Sequence, residues 1–335
     1  MKTTLFTTAI AACLTTTAYS ATIRQRSNDL TTSWIPPDLY ISPEPVYAGS
    51  PIIMKEDTDS TSRTSLSSSS PYAITYTPYT ASGTCKTASE VSTDVLSIAR
   101  KGFGAIQLYA TDCDALPHVS VAAKKHSLHL ILGIYIDASG TSSAIAHEQL
   151  RTITTWAASS PSHWKQVDLI LAGNEALFNT FASGPELAAF VTHVRTTLRQ
   201  AGYEGPVSTA EPLDILRQNA DVLCDEIDVL TPNLHPFFHA DVSAEDAGTF
   251  AAEQVSLAAG LCGGAKEVLA LEVGWPSRGR SNGVAVPGIV EQKIAVRGML
   301  SAVGKRASFV GFEDDGWRDA GDFGVEQAWG CAELF

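Results

Sequence analysis

Two glutamates close short apolar runs of this chain, Glu175 in Leu171-Ala-Gly-Asn-Glu175 and Glu272 in Leu269-Ala-Leu-Glu272. A charge at the end of an apolar strand is costly to desolvate unless it faces an open site or a partner. Two carboxyls in one site can divide the work of breaking an acetal. One, protonated, gives its proton to the leaving oxygen; the other, ionised, attacks the anomeric carbon. The bland alternative is that each glutamate merely pairs with an arginine at the rim of a sheet. Two such residues, with Asn174 beside one of them, favour the chemical reading. The other residues near expected strand ends are mostly acids and aromatics: Tyr76, Tyr79, Tyr109, Asp112, Asp137, Glu211, His235, Phe238 and Trp275. Aromatic faces beside acids suit a neutral polyhydroxylated ligand, whereas a phosphorylated one would want lysines, arginines and glycine-rich nests. His235 and His239 are four apart, but Pro236 separates them and no HExxH helix surrounds them. No metal or cofactor is expected.

The elements that must position these residues begin near residue 71. Short apolar runs at Ala73–Tyr76, Ala105–Tyr109, Leu128–Tyr135, Val167–Ala172, Pro206–Ala210, Glu226–Pro232, Val268–Glu272 and Ser308–Phe312 read as strands. Between them, Ser89–Lys101 places Val91, Val95, Ile98 and Ala99 on one helical face, and Pro185–Gly202 does the same with Leu187, Phe190, Val191, Val194 and Leu198. Eight strand–helix repeats over residues 71–335 are the count and size of an α/β (β/α)8 TIM barrel. A doubly wound open sheet is the runner-up, but no GxGxxG or GxxxxGK[ST] follows a strand. In a barrel, site residues come from the C-terminal strand ends, where both glutamates fall.

Residues 1–20 read as a secretory signal peptide: Lys2, a short apolar and threonine-rich run, then small residues at Ala18-Tyr-Ser-Ala21. Residues 21–70 carry prolines 36, 37, 43, 45 and 51 and a Ser/Thr tract from Asp57 to Ser70, with no sustained period of 2 or 3.6. That composition cannot offset the entropy of ordering, so a disordered, O-glycosylated propeptide or spacer is expected before the domain at 71–335. No later run is long and apolar enough to span a membrane. The net charge of −13 leaves no basic face for nucleic acid. The chain is expected to be extracellular or in a cell wall, and monomeric.

Once Cys13 leaves with the signal, five cysteines remain, and an oxidising compartment suggests two bridges and one leftover thiol. Cys85 and Cys113 follow strands one and two, while Cys224 and Cys262 precede strands six and seven. Pairing Cys85 with Cys113 and Cys224 with Cys262 joins neighbours; cross-pairs would have to pass the length of the barrel. Cys331 is then free or bonded to another molecule.

Gly173-Asn-Glu175 and Glu272-Val-Gly-Trp-Pro-Ser277 resemble the two signatures of glycoside hydrolase family 17, the β-1,3-glucanases, especially its fungal cell-wall members. The resemblance extends through Ile74-Thr-Tyr-Thr-Pro-Tyr79, Leu108-Tyr-Ala-Thr-Asp-Cys113, Gly133-Ile-Tyr135, Asn233 to Phe238, Ser281-Asn-Gly283 and Trp329-Gly330. It implies a retaining enzyme acting on β-1,3-glucan by double displacement, with Glu175 as general acid/base and Glu272 as nucleophile. Asn174 would sit near the sugar 2-hydroxyl, and Tyr79, Tyr109, Phe238 and Trp275 would line the cleft. Gln107 departs from the family, which often has an arginine there, and Phe312 to Arg318 is altered although Asp315, Trp317 and Arg318 match. A glucanosyltransferase using the same residues and a non-catalytic glucan-binding wall protein are the competing readings.

Overall fold

Eight short parallel strands close on themselves: β1 (Ala73–Thr75), β2 (Ala105–Leu108), β3 (His129–Ile134), β4 (Val167–Asn174), β5 (Val207–Pro212), β6 (Thr231–Asn233), β7 (Ala270–Val273) and β8 (Ala307–Phe309), with β8 pairing back to β1. Helices α1 (Ala88–Arg100), α2 (Ala115–Lys125), α3 (Ala144–Ala158), α4 (Gly184–Gln200), α5 (Leu213–Gln218), α6 (Ala220–Leu223), α7 (Ala247–Ala259) and α8 (Ile289–Val303) fill the crossovers. This is the expected (β/α)8 barrel. The computed structural model describes residues 71–160 and 162–335. The leader expected at 1–20 and the spacer expected at 21–70 lie outside the described residues.

Strand residues alternate between two apolar environments, which is why the runs are apolar without a break. Ala73, Ala105, Ile131, Leu169, Leu171, Ala210, Leu269 and Leu271 pack inside the barrel. Their neighbours Ile74, Ile106, Leu130, Leu132, Ile170 and Ala172 pack in the layer shared with the helices. The helices turn their periodic faces inward, with Val91, Val95 and Ile98 buried on α1 and Leu187, Val191, Val194 and Leu198 on α4. Local chemistry starts them. Thr87 Oγ1 accepts the Glu90 amide at 3.3 Å while the Thr87 amide donates to Glu90 Oε2 at 2.7 Å, a reciprocal cap on α1.

Strand bounds shift by a residue or more in several places, and β8 ends at Phe309 rather than Phe312; β6 starts furthest from its expected position. The expected Glu226–Pro232 shortens to Thr231–Asn233. The acids that begin the run are tied up at the N-terminal rim: Asp228 accepts the Val207 amide at 2.8 Å and lies 3.6 Å from both Arg195 and Arg199. Ile227, between them, bonds back to Leu223 as a turn.

Both expected bridges are present. Cys85–Cys113 joins the segments after β1 and β2, and Cys224–Cys262 the segments before β6 and β7, with Cα separations of 5.3 and 5.2 Å. Cys331 is free and 1% exposed, which leaves its sulfur no access to a second molecule. Among the described residues no helix is long and apolar enough to cross a membrane.

Candidate active site

β4 and β7 present their glutamates through the same backbone device. Glu175 and Glu272 both lie in the left-handed region, with φ +54° and +49°. For a residue with a Cβ this costs about 1–3 kcal/mol, and such strain gathers where geometry serves a site. The ladder shows the accompanying bulges. Leu171 and Asn174 on β4 pair with Ser208 and Ala210 on β5, and Ala270 and Val273 on β7 pair with Ala307 and Phe309 on β8. An extra residue in each strand re-aims its last side chains. Gly173 makes room for the first bulge: at φ +96°, its Cβ would stand 3.0 Å from Ile136 and 3.2 Å from Leu187.

The result is a cluster in which the two carboxyls face one another. An oxygen of Glu175, an oxygen of Glu272 and a ring nitrogen of His235 all lie within 4.8 Å of one another. Asn174 Nδ2 donates to Glu272 Oε1 at 3.0 Å, and His235 Nε2 lies 3.0 Å from Glu272 Oε2. Asn233 Nδ2 donates to Glu175 Oε1 at 3.0 Å. The two side chains are only 13% and 10% exposed.

Their acidities are driven apart. Burial and the neighbouring charge of Glu272 push Glu175 up to about 7, despite opposing pulls from His235 and Asn233. Burial pushes Glu272 up as well, but the His235 hydrogen bond and charge, Arg318 and the Tyr109 hydroxyl outweigh it and leave it lowered. Burial pulls His235 down, and its bond to Glu272 with the charges of Glu272, Glu175 and Glu326 carries it upward instead. The site therefore sets a carboxyl raised toward neutrality opposite one held below the ordinary glutamate range, with an imidazole beside the second. Glu175, His235 and Glu272 offer three donor atoms close enough to hold a cation, but a protonated Nε2 bonded to Glu272 has no lone pair to give a metal.

Of the aromatic residues expected at the cleft, Tyr109 meets the pair directly, its hydroxyl facing Glu272. Phe238 joins through His235, with ring centroids 5.9 Å apart. Tyr79 lies further round the rim, with its ring 4.9 Å from Trp317 and its hydroxyl donating to Asp112. Trp275 corrects the expectation. It is 0% exposed, its indole donates to the Val286 carbonyl at 2.9 Å, and its ring packs on Phe237. Turned inward, the indole N–H finds its partner in that carbonyl.

The loop after β8 contributes groups that the expected site lacked. Asp315 accepts from Thr77 at 2.6 Å and from the Trp317 indole at 3.0 Å, and lies 3.3 Å from Arg318, which in turn faces Glu272. Glu326 faces Arg318 and His235. Arg318 brings a cation to the Glu272 side of the cluster, on a loop far in sequence from Gln107. The matching Asp315-x-Trp317-Arg318 run and the Asn233 to Phe238 segment were the available signals for this group.

A closed barrel with two facing glutamates at the ends of its fourth and seventh strands has the form of a glycoside hydrolase. The chain belongs to the family described as the BtgE/BtgC glycoside hydrolase domain, which residues 73–330 match. The probable beta-glucosidase btgE of Aspergillus terreus is 41% identical over 262 residues, covering 78% of this chain and 46% of that protein. The namesake in Emericella nidulans is 38% identical over 266 residues, covering 78% and 47%. The chain thus spans about half the length of the curated relatives it matches. Among solved structures, the glycoside hydrolase family 17 β-1,3-glucanosyltransferase of Rhizomucor miehei has a TM-score of 0.66 at 20% identity, covering 77% of this chain and 91% of that one. An endo-laminarinase from Formosa has a TM-score of 0.63 at 14% identity, covering 78% and 82%. Both show the same barrel, in keeping with the family 17 resemblance.

Proposed function

We propose that this chain is a secreted, retaining β-1,3-glucan hydrolase that remodels or degrades cell-wall glucan. One observation carries the reading: two carboxyls with oxygens within 4.8 Å of each other, one with its pKa pushed up to about 7 and the other with its pKa lowered. Retaining enzymes hold their carboxyls about 5–5.5 Å apart, whereas inverting ones leave about 6.5–9.5 Å for a water.

Glu175 protonates the glycosidic oxygen as Glu272 attacks the anomeric carbon, forming a glycosyl-enzyme and releasing the aglycone. Esterified Glu272 no longer carries a charge, so one cause of the raised Glu175 pKa disappears and Glu175 becomes a base. It then takes a proton from the incoming water. Asn174 and His235 hold the nucleophile's two oxygens, and Tyr109 and Phe238 flank the sugar. The Rhizomucor miehei neighbour is named a glucanosyltransferase, and transfer differs from hydrolysis only in the acceptor of the second step.

Incubation of the purified protein with laminari-oligosaccharides tests the reading. Shorter products indicate hydrolysis, and products both shorter and longer than the input indicate transfer. Binding of the oligosaccharides without any change in length would make the chain a glucan-binding wall protein and overturn the proposal.

A further inference from the structure

Glu211 is a buried acid that the proposed chemistry leaves unused. It stands on β5, is 0% exposed, and its two oxygens accept the amides of Leu177 at 2.8 Å and Phe178 at 3.1 Å. The amide of Ala176 also faces it. These are the three amides that follow Glu175. The Glu175 amide itself donates to the carbonyl of Ala210 at 2.7 Å. Consecutive residues of β5 therefore grip both sides of Glu175, one by its carbonyl and the next by its side chain. The left-handed backbone of Glu175 turns the succeeding amides to one side, where a carboxylate gathers them. The Asn179 amide and side chain close the turn on the Glu175 carbonyl, both at 2.9 Å.

We propose that Glu211 is a positioning residue for the reaction: it holds the strained turn after Glu175 so that this carboxyl stays opposite Glu272. The proposal rests on the assignment of Glu175 as acid/base. Burial pushes the Glu211 carboxyl up to about 8 against the pull of the amides. Protonated or not, each of its oxygens keeps a lone pair for its amide. Glutamine does not replace it, since one oxygen becomes an NH2 that confronts a backbone donor.

The test compares laminarin, whose leaving group needs a proton, with a dinitrophenyl β-glycoside of laminaribiose, whose leaving group does not. In E211Q, kcat on laminarin falls about 10–100-fold, the scale of an ångström-level misplacement, with KM little changed. The dinitrophenolate burst keeps a near wild-type rate, and azide restores its turnover. E175A shows the same selectivity, and E175A/E211Q is no slower than E175A. Equal losses on both substrates, or losses that add in the double variant, overturn the positioning role while leaving Glu175 as acid/base. If E175A itself lacks the selectivity, the assignment of Glu175 fails, and the role of Glu211 with it. E211D, which keeps the acid but shortens its reach, is measured if E211Q does not fold and is expected to show the same split. If neither folds, Glu211 serves folding and the proposal is overturned.

Discussion

Glu175 and Glu272 have the same side chain and nearly the same burial, so what separates them is their neighbours. Glu272 has His235, Asn174, Tyr109 and Arg318 around it, while Glu175 has Asn233 and, at 4.0 Å, the edge of His235. The pH consequence follows from the sign of each shift. Glu175 is raised to about 7, so the protonated form needed for glycosylation is lost as pH rises through that value, and kcat/KM on laminarin should fall above it. Glu272 is lowered, so the acid limb should lie below the ordinary glutamate range. His235 lowers both glutamates, and H235Q should therefore move both limbs to higher pH. Limbs that stay in place would show that His235 carries no charge in the site. Azide distinguishes the two glutamates chemically. In E175A it should attack the glycosyl-enzyme and yield the β-glycosyl azide, and in E272G it should attack the substrate directly and yield the α-anomer. Exchanged anomers mean exchanged roles.

At the scale of elements, the bulges of β4 and β7 and the bridge between the first two loops shape the site. Gly173→Ala puts a Cβ against Ile136, Leu187 and Thr209 at a φ of +96°. A loss of about 1–3 kcal/mol, read from the urea midpoint, is expected from the backbone strain alone. The two disulfides make a sharper comparison. Removal of either should destabilise the fold by about 2–4 kcal/mol. Cys85–Cys113 lies on the C-terminal face, where it ties the loop bearing Tyr79 to the loop bearing Asp112. Cys224–Cys262 lies on the opposite face. Replacing the first pair by alanine should raise KM for laminarin at a temperature where both variants are folded; replacing the second should leave KM unchanged. Equal effects on KM would separate the β1 loop from substrate binding.

The described residues form a barrel of two concentric apolar layers, with both glutamates of the site at the C-terminal strand ends. Cys331 belongs to the packing, with burial pushing its thiol up to about 12. It should be silent toward a thiol reagent in the native protein and react when the protein is denatured. Reaction in the native state would mean that the segment after β8 opens. Residues 73–330 carry the family match, and the longer relatives extend well beyond that unit.

Alternating β/α period, the closing glutamates of the fourth and seventh runs and the pairing of four cysteines were legible in the chain because each depends on local pattern and strand order. Apolar runs buried on both sides announce parallel strands, and a carboxylate ending such a run announces an open site. The inward turn of Trp275 was not legible, since it hangs on where its indole finds the Val286 carbonyl. Nor was the late start of β6, where Asp228 is claimed by arginines of α4. Most of all, only the tertiary structure could bring His235 and Arg318 toward Glu272 and so drive the two acidities apart. Acidity constants are set by groups that are close in space, and closing the barrel is what brings those groups together.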